Sequence, residues 1–145
     1  MSALTEGPLL LDTHIWLWHL DDDRTRLKPR VRQVLDRCST RDELLVSDIS
    51  AWEVAIKSAK GQLVLSMDVT LWLDRAEQAA GIRFVPVSRP IMMLSTRLQG
   101  EMHGDPADRM LIATALLHSL PLVTADAEIM RYAKRNAGLR VVDAR

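Results

Sequence analysis

A single cysteine, Cys38, in a chain of 145 residues rules out an internal disulfide, and with it the cross-linked scaffold of a small secreted domain. Cys38 is expected to serve as a small buried hydrophobe. No run approaches the roughly 20 apolar residues of a membrane helix, and the first eight residues show no basic leader followed by an apolar core, so a cytoplasmic protein is expected. Charge of one sign is missing too, since 19 Lys and Arg face 19 Asp and Glu. Zero net charge excludes binding of nucleic acid by bulk attraction but leaves room for a local basic surface. Repeats, low-complexity tracts and Gly/Ser/Pro-rich linkers are absent, so one domain over residues 1–145 is expected, and the 48% hydrophobic fraction suffices for its core.

Several signatures of chemistry are also absent. There is no Gly-x-Ser-x-Gly elbow to support a Ser/His/Asp triad. Neither Gly-x4-Gly-Lys-Ser/Thr nor Gly-x-Gly-x-x-Gly occurs. The Asp-x-Asp of a haloacid-dehalogenase-type site is broken by His14 after Asp12.

What remains is an alternation of strand-like and helix-like segments. Short apolar or β-rich runs fall at residues 9–12, 44–47, 82–85, 120–124 and 139–142. Helical spacing fills residues 14–20, 28–38, 51–60, 69–80, 90–99, 106–117 and 127–136. Gly81 and Gly138 stand where a helix should stop before a strand. This alternation predicts an α/β domain with a central parallel sheet of about five strands and helices on both faces. The cations Arg24, Arg26, Lys28, Arg30 and Arg32 read as a solvated loop and helix start around Pro29. Fifteen of the 19 cations are Arg, the side chain suited to forked contact with phosphate.

In such sheets ligands bind outside the carboxyl ends of the strands. Asp12 closes the first strand, Asp126 lies just past the fourth, and Glu53 lies in the helix leaving the second. Asp105 and Asp108 open the helix that feeds strand four, whose N-terminus lies at the same edge. Acids from four separate segments are thus expected on one side of the sheet. Asp48 and Asp143 also fall near that edge, so edge placement alone does not select ligands.

Each acid has a plainer explanation. Ser50-Ala51-Trp52-Glu53 spells a capping box with Ser50 as the cap. Asp105-Pro106-Ala107-Asp108 reads as an N-cap, a proline at the first helical position and a dipole-favoured acid. Asp126 can cap the following helix, and Glu53 can pair with Lys57. Asp12 is different, because a carboxylate ending the run Leu9-Leu10-Leu11 is desolvated and needs a partner or a metal. Converging carboxylates favour a shared hard cation, Mg2+ or Mn2+. Zinc is disfavoured, since Cys38 stands alone and His14, His19, His103 and His118 lack ligand spacing. His103 is the histidine nearest the acids, two residues from Asp105.

Four segments together carry a family resemblance: Leu9-Leu10-Leu11-Asp12-Thr13-His14, Ser47-Asp48-Ile49-Ser50-Ala51-Trp52-Glu53, His103-Gly104-Asp105-Pro106-Ala107-Asp108-Arg109 and Leu122-Val123-Thr124-Ala125-Asp126. In order and spacing the chain resembles the PIN-domain ribonucleases, and among them the VapC-type toxins of bacterial toxin–antitoxin pairs. The resemblance implies a PIN fold, a Mg2+- or Mn2+-dependent endoribonuclease and a cognate antitoxin. It also implies that Asp12, Glu53, Asp108 and Asp126 are the catalytic, metal-holding quartet. Asp105 is then an auxiliary acid, and Thr13, Ser50 and Thr124 are auxiliary hydroxyls.

The apolar residues Ile15, Trp16, Leu17, Trp18 and Leu20 are spread around more than one face of the first helix, so part of it is expected to await a partner. A homodimer that also binds the antitoxin is the expectation. Trp52 and Trp72 read as core. Two rival readings stand beside the ribonuclease: a noncatalytic α/β binding module whose acids merely cap helices, and a metal-dependent phosphohydrolase of another doubly wound fold.

Overall fold

Leu9, Leu10 and Leu11 are all fully buried, the mark of a strand covered on both faces. In the computed structural model, which describes residues 7–21, 25–100 and 104–145, they form β1 (Leu9–Leu11) at the centre of a five-stranded sheet. The other strands are β2 (Leu44–Ser47), β3 (Ile82–Val85), β4 (Leu122–Thr124) and β5 (Val141–Asp143). Their order is β3-β2-β1-β4-β5, and every pairing is parallel. The chain therefore builds outward from β1 in one direction, then returns to β1 and builds outward in the other.

Seven helices connect or follow these strands among the described residues: α1 (Thr13–Leu20), α2 (Pro29–Ser39), α3 (Asp48–Ala59), α4 (Val69–Glu77), α5 (Arg89–Ser95), α6 (Pro106–Leu117) and α7 (Ala127–Arg135). Alternation along β1 divides them into two layers. Leu9 and Leu11 pack into a core with Trp16, Val31, Leu35 and Val54, while Leu10 packs with Leu111, Ile112, Ile129 and Tyr132. Trp16 sits edge-on to Trp72 and Phe84, with ring centroids 5.3 and 5.6 Å away. Cys38 is buried, as expected of a small hydrophobe.

Helix boundaries differ from the sequence expectation where local side chains intervene. Ser47 Oγ accepts the Ile49 N–H at 3.0 Å, so α3 starts at Asp48. Ser50 is therefore inside the helix and fully buried, and no capping box forms there. Helix α5 ends at Ser95 rather than near residue 99. The Ser95 and Thr96 hydroxyls donate to the carbonyls of Met92 and Met93 at 2.6 and 2.7 Å, competing with the ladder. Gly138 adopts no left-handed conformation, and α7 ends instead at Asn136, whose Nδ2 donates to the Tyr132 carbonyl.

The tryptophans also separate. Trp52 is 51% exposed, contrary to the core role expected of it, because Ser50 and Val54 define the inward stripe of α3 and residue 52 lies about half a turn away. Most of α1 is absorbed within the chain: Ile15 and Trp16 are buried, and Leu17, Trp18 and Leu20 pack against the first core. Among the described residues the large apolar side chains left exposed are Trp52, Val64, Leu71, Met92, Met93 and Leu117. Among the described residues no helix is long and apolar enough to cross a membrane.

Gly81 enters β3 with φ +86°, and a Cβ there would lie 2.1 Å from Ser39 Oγ and 2.4 Å from the Ser39 carbonyl oxygen. Backbone handedness and overlap act together, so Gly81→Ala is expected to destabilise the fold by about 2–4 kcal/mol. A fall in the urea midpoint with an unchanged slope is the measurement; an unchanged midpoint would contradict the close approach.

Candidate active site

The strand order reverses between β1 and β4, which opens a cleft at their carboxyl ends. Asp12 stands there with no loop between strand and helix: it follows β1 and is itself the N-cap of α1. Its Oδ1 accepts the Thr13 N–H at 2.7 Å, and its Oδ2 accepts the Thr124 hydroxyl at 2.7 Å. Thr124 is the last residue of β4, so this second bond ties the strands together across the switch point. Thr124 Oγ1 in turn accepts the Asp126 N–H at 3.0 Å.

A second chain of bonds joins α1 to α3. The Thr13 hydroxyl donates to Glu53 Oε1 at 2.6 Å and is hydrogen-bonded to Ser50 Oγ at 2.7 Å. With its one proton committed to the carboxylate, Thr13 accepts from Ser50. All three side chains sit largely out of solvent, which explains why Ser50 faces inward instead of capping. Lys57 Nζ lies 3.8 Å from Glu53 Oε2, the expected one-turn pair.

Asp105 and Asp126 do cap helices, as their sequence positions suggest. Asp105 Oδ1 accepts the Ala107 and Asp108 N–H groups that begin α6. Asp126 Oδ1 accepts the Glu128 and Ile129 N–H groups that begin α7. Asp108 lies in the first turn of α6 and is 9% exposed. Asp48 is exposed in the first turn of α3, and Asp143 pairs with Lys28 at 3.8 Å, so neither belongs to this set. His103 lies outside the described residues.

The acids share one electrostatic field. Burial first, and then the charges of Asp105, Asp12, Asp126 and Glu53, together raise the Asp108 carboxyl to about 8. Burial also raises Asp12, against the lowering effect of the Thr124 and Thr13 hydrogen bonds and of His14, with Asp126 adding to the rise. Glu53 is raised by burial, opposed by Thr13 and Lys57 and reinforced by Asp12 and Asp105. The field is partly offset by α1, α6 and α7, whose N-termini carry Asp12, Asp105 and Asp126 as caps.

These donors are all hard oxygens, the chemistry of Mg2+ or Mn2+. Among the described residues, however, no three His, Cys, Asp or Glu side chains are already gathered as a metal cage. The two facts agree for an ion that is held by one or two carboxylates and keeps several waters. The mutual repulsion registered at Asp108 is what such a cation would relieve.

One wall of the cleft was not read from the sequence. A cavity of about 330 Å3 extends from Asp12 and Asp126 past His14 to Trp18, Arg26 and Arg145. The sequence places Arg26 in a solvated run, and the residue is exposed. Its position over Trp18 depends on tertiary folding, for which no local pattern exists.

The Asp108 shift fixes a pH dependence of stability. A carboxyl raised in the folded state favours the protonated native form, so the contribution of Asp108 to stability is fully present below pH about 4 and is lost as pH rises toward 8. In EDTA, Asp108→Asn should therefore match the wild type near pH 4 and exceed it at pH 8. The expected gain is more than about 1.4 kcal/mol, the worth of one pKa unit. Thermal unfolding at the two pH values checks this, and equal Tm values at pH 8 would contradict it.

Comparison with known proteins agrees with the geometry. The PIN domain family matches residues 9–135. Ribonuclease VapC22 of Mycobacterium tuberculosis is 31% identical over 121 residues, covering 83% of this chain and 88% of that protein. The DNA-bound VapBC structure from Salmonella typhimurium superposes with a TM-score of 0.67 at 16% identity, covering 97% of this chain and 100% of that one. FitAcB from Neisseria gonorrhoeae superposes with a TM-score of 0.64 at 22% identity, covering 94% and 97%. The two structures share the fold, and with the match over most of its length this chain belongs to the PIN domain family.

Proposed function

We propose that this protein is a VapC-type endoribonuclease, the toxin of a bacterial toxin–antitoxin pair, acting on RNA in the cytoplasm with Mg2+ or Mn2+. The observation that carries the reading is the meeting of Asp12, Glu53, Asp105, Asp108 and Asp126 in one field at the sheet's switch point. The relative named as a ribonuclease supports the substrate class.

Asp12, Glu53, Asp108 and Asp126 would hold the ion, one or two of them directly and the others through its waters. When bound, the cation would acidify a water and neutralise charge developing on the scissile phosphate. Thr124 fixes the Asp12 carboxylate, and Thr13, backed by Ser50, fixes Glu53. Asp126 spends only Oδ1 on its helix, and its Oδ2 makes no hydrogen bond among the described residues. Asp105 acts as an auxiliary acid that sets the first turn of α6 and so the placement of Asp108. An unprotonated Asp108 is favoured by the cation, since opposite charge draws a carboxyl pKa down.

The partner of the pair would be an antitoxin, and the toxin itself would be a homodimer. A cleft lined by Leu17, Leu20, Leu63, Val64, Leu65 and Trp72, with Asp21 and Ser66 among them, supports peptide binding. The exposed Trp52, Met92 and Met93 support a second protein contact.

Two observations favour a second reading, a noncatalytic module: Asp105 and Asp126 both cap helices, and no cage of three ligands is formed. Activity and metal titration separate the two readings. Wild-type protein should cleave RNA with Mg2+ and not with EDTA, and Asp12→Ala should lose at least about 100-fold in rate. Equal cleavage by both proteins would sink the assignment, and neither metal binding nor cleavage by the wild type would favour the module. Glu53→Gln still offers an amide oxygen to the Thr13 hydroxyl, so activity should fall about tenfold or more while Tm stays nearly unchanged.

A further inference from the structure

The cleft has two chemically opposite ends. Asp12 and Asp126 line one, and Trp18, Arg26 and Arg145 line the other, with His14 between them. His14 and Trp18 lie one turn apart on α1, ring centroids 6.1 Å apart, so a single helix face runs from the acids to the indole. The Arg26 and Arg145 guanidinium carbons stand 5.5 and 5.9 Å from the Trp18 ring centroid.

This grouping is held by backbone. Ala144 donates its N–H to the Thr124 carbonyl and accepts the Lys28 N–H, both at 2.9 Å. The segment after β5 is thereby pinned between the end of β4 and the entry to α2, which brings Arg145 and Arg26 to one ring. Among the described residues neither guanidinium has a carboxylate in salt-bridge contact. The nearby Asp143 is spent on the Arg145 backbone N–H and on Lys28. Two like charges over one indole repel each other, and the cation–π contacts only partly offset this. An anion between them would remove the repulsion.

A free anion would make no use of the indole, and an uncharged ring would leave the two positive charges unneutralised. A nucleotide uses both: its phosphate would draw the guanidiniums off the ring, and its base would take the indole face they leave. We propose that Trp18, Arg26 and Arg145 form a subsite for one nucleotide of single-stranded RNA adjacent to the scissile bond. The proposal rests on the ribonuclease reading for the identity of the strand. Stacking on an indole accepts any base, so this subsite contributes affinity and register rather than sequence choice. Trp18 is accordingly a positioning residue: it holds the strand while the acids at the other end of the cleft act.

The test is binding of a fluorescein-labelled, mixed-sequence single-stranded oligoribonucleotide, followed by anisotropy in EDTA over a range of salt, together with cleavage kinetics in Mg2+. Trp18→Ala should weaken binding about tenfold or more, and Trp18→Phe should recover most of the loss. In cleavage, KM should rise while kcat is largely kept. The Arg26→Ala, Arg145→Ala double variant should flatten the slope of log affinity against log salt by about 0.7, the worth of the one phosphate the two side chains share. Both arginines are exposed, so this variant carries the test even if Trp18→Ala fails to fold.

Folded variants with wild-type affinity, salt slope and KM would overturn the subsite while leaving the nuclease intact. Variants that keep RNA binding but lose a co-expressed protein partner would overturn it too, in favour of a protein-facing surface. Wild-type protein that binds the oligonucleotide through Trp18 yet never cleaves would uphold the subsite and remove the nuclease reading.

Discussion

The hydrogen bond from Thr124 to Asp12 is the constraint on which the site depends. It crosses the point where the sheet reverses its strand order, joining the last residue of β4 to the residue that ends β1. Without a donor in that position, the buried Asp12 carboxylate would keep only the Thr13 amide as a neutral partner. The same threonine receives the Asp126 N–H, so one hydroxyl orders two of the acids. Thr13 plays the corresponding part for Glu53 on the other side of β1. Two hydroxyls, each mounted at an end of regular structure, thus align carboxylates contributed by segments far apart in the chain.

These carboxylates are held against their own electrostatics. Burial and mutual repulsion raise Asp12, Glu53 and Asp108 together, and the ion pair from Lys57 to Glu53 is a long one, at 3.8 Å. A fold selected for stability alone would place amides or apolar groups at such positions. The concentration of unfavourable charge in a cleft is the pattern expected of a functional site, where strain of this kind is retained because the ligand relieves it.

Much of this was legible in the sequence because it is local. Leu9 to Leu11 with no polar alternation reads as a strand buried on both faces, and Asp105-Pro106 reads as the start of α6, whose bounds match the expectation. The acids were placed at one edge by topology alone. What sequence could not carry was the competition among neighbouring caps: Ser47 and Ser50 are both competent, and the choice falls to Ser47 because Thr13, 37 residues from Ser50, engages the latter. Trp52 was misplaced for the same reason, since moving the start of α3 does not reveal which face Ser50 and Val54 turn inward. The Trp18 wall was hidden more deeply, because Arg145 reaches it only through the pinning of Ala144.

The direct passage from β1 into α1 has a further consequence. With Asp12 serving at once as strand end and helix cap, no spare residue lies between the two elements to absorb an insertion or deletion. Slipping the register by one position would turn Asp12 into the core and present a leucine to the cleft. The amino edge of the sheet, where chain enters each strand through turns such as the one at Gly81, has no such coupling to chemistry. Variation in length among descendants of this chain should therefore accumulate at one edge of the sheet, while the opposite edge stays fixed in length even where its side chains drift.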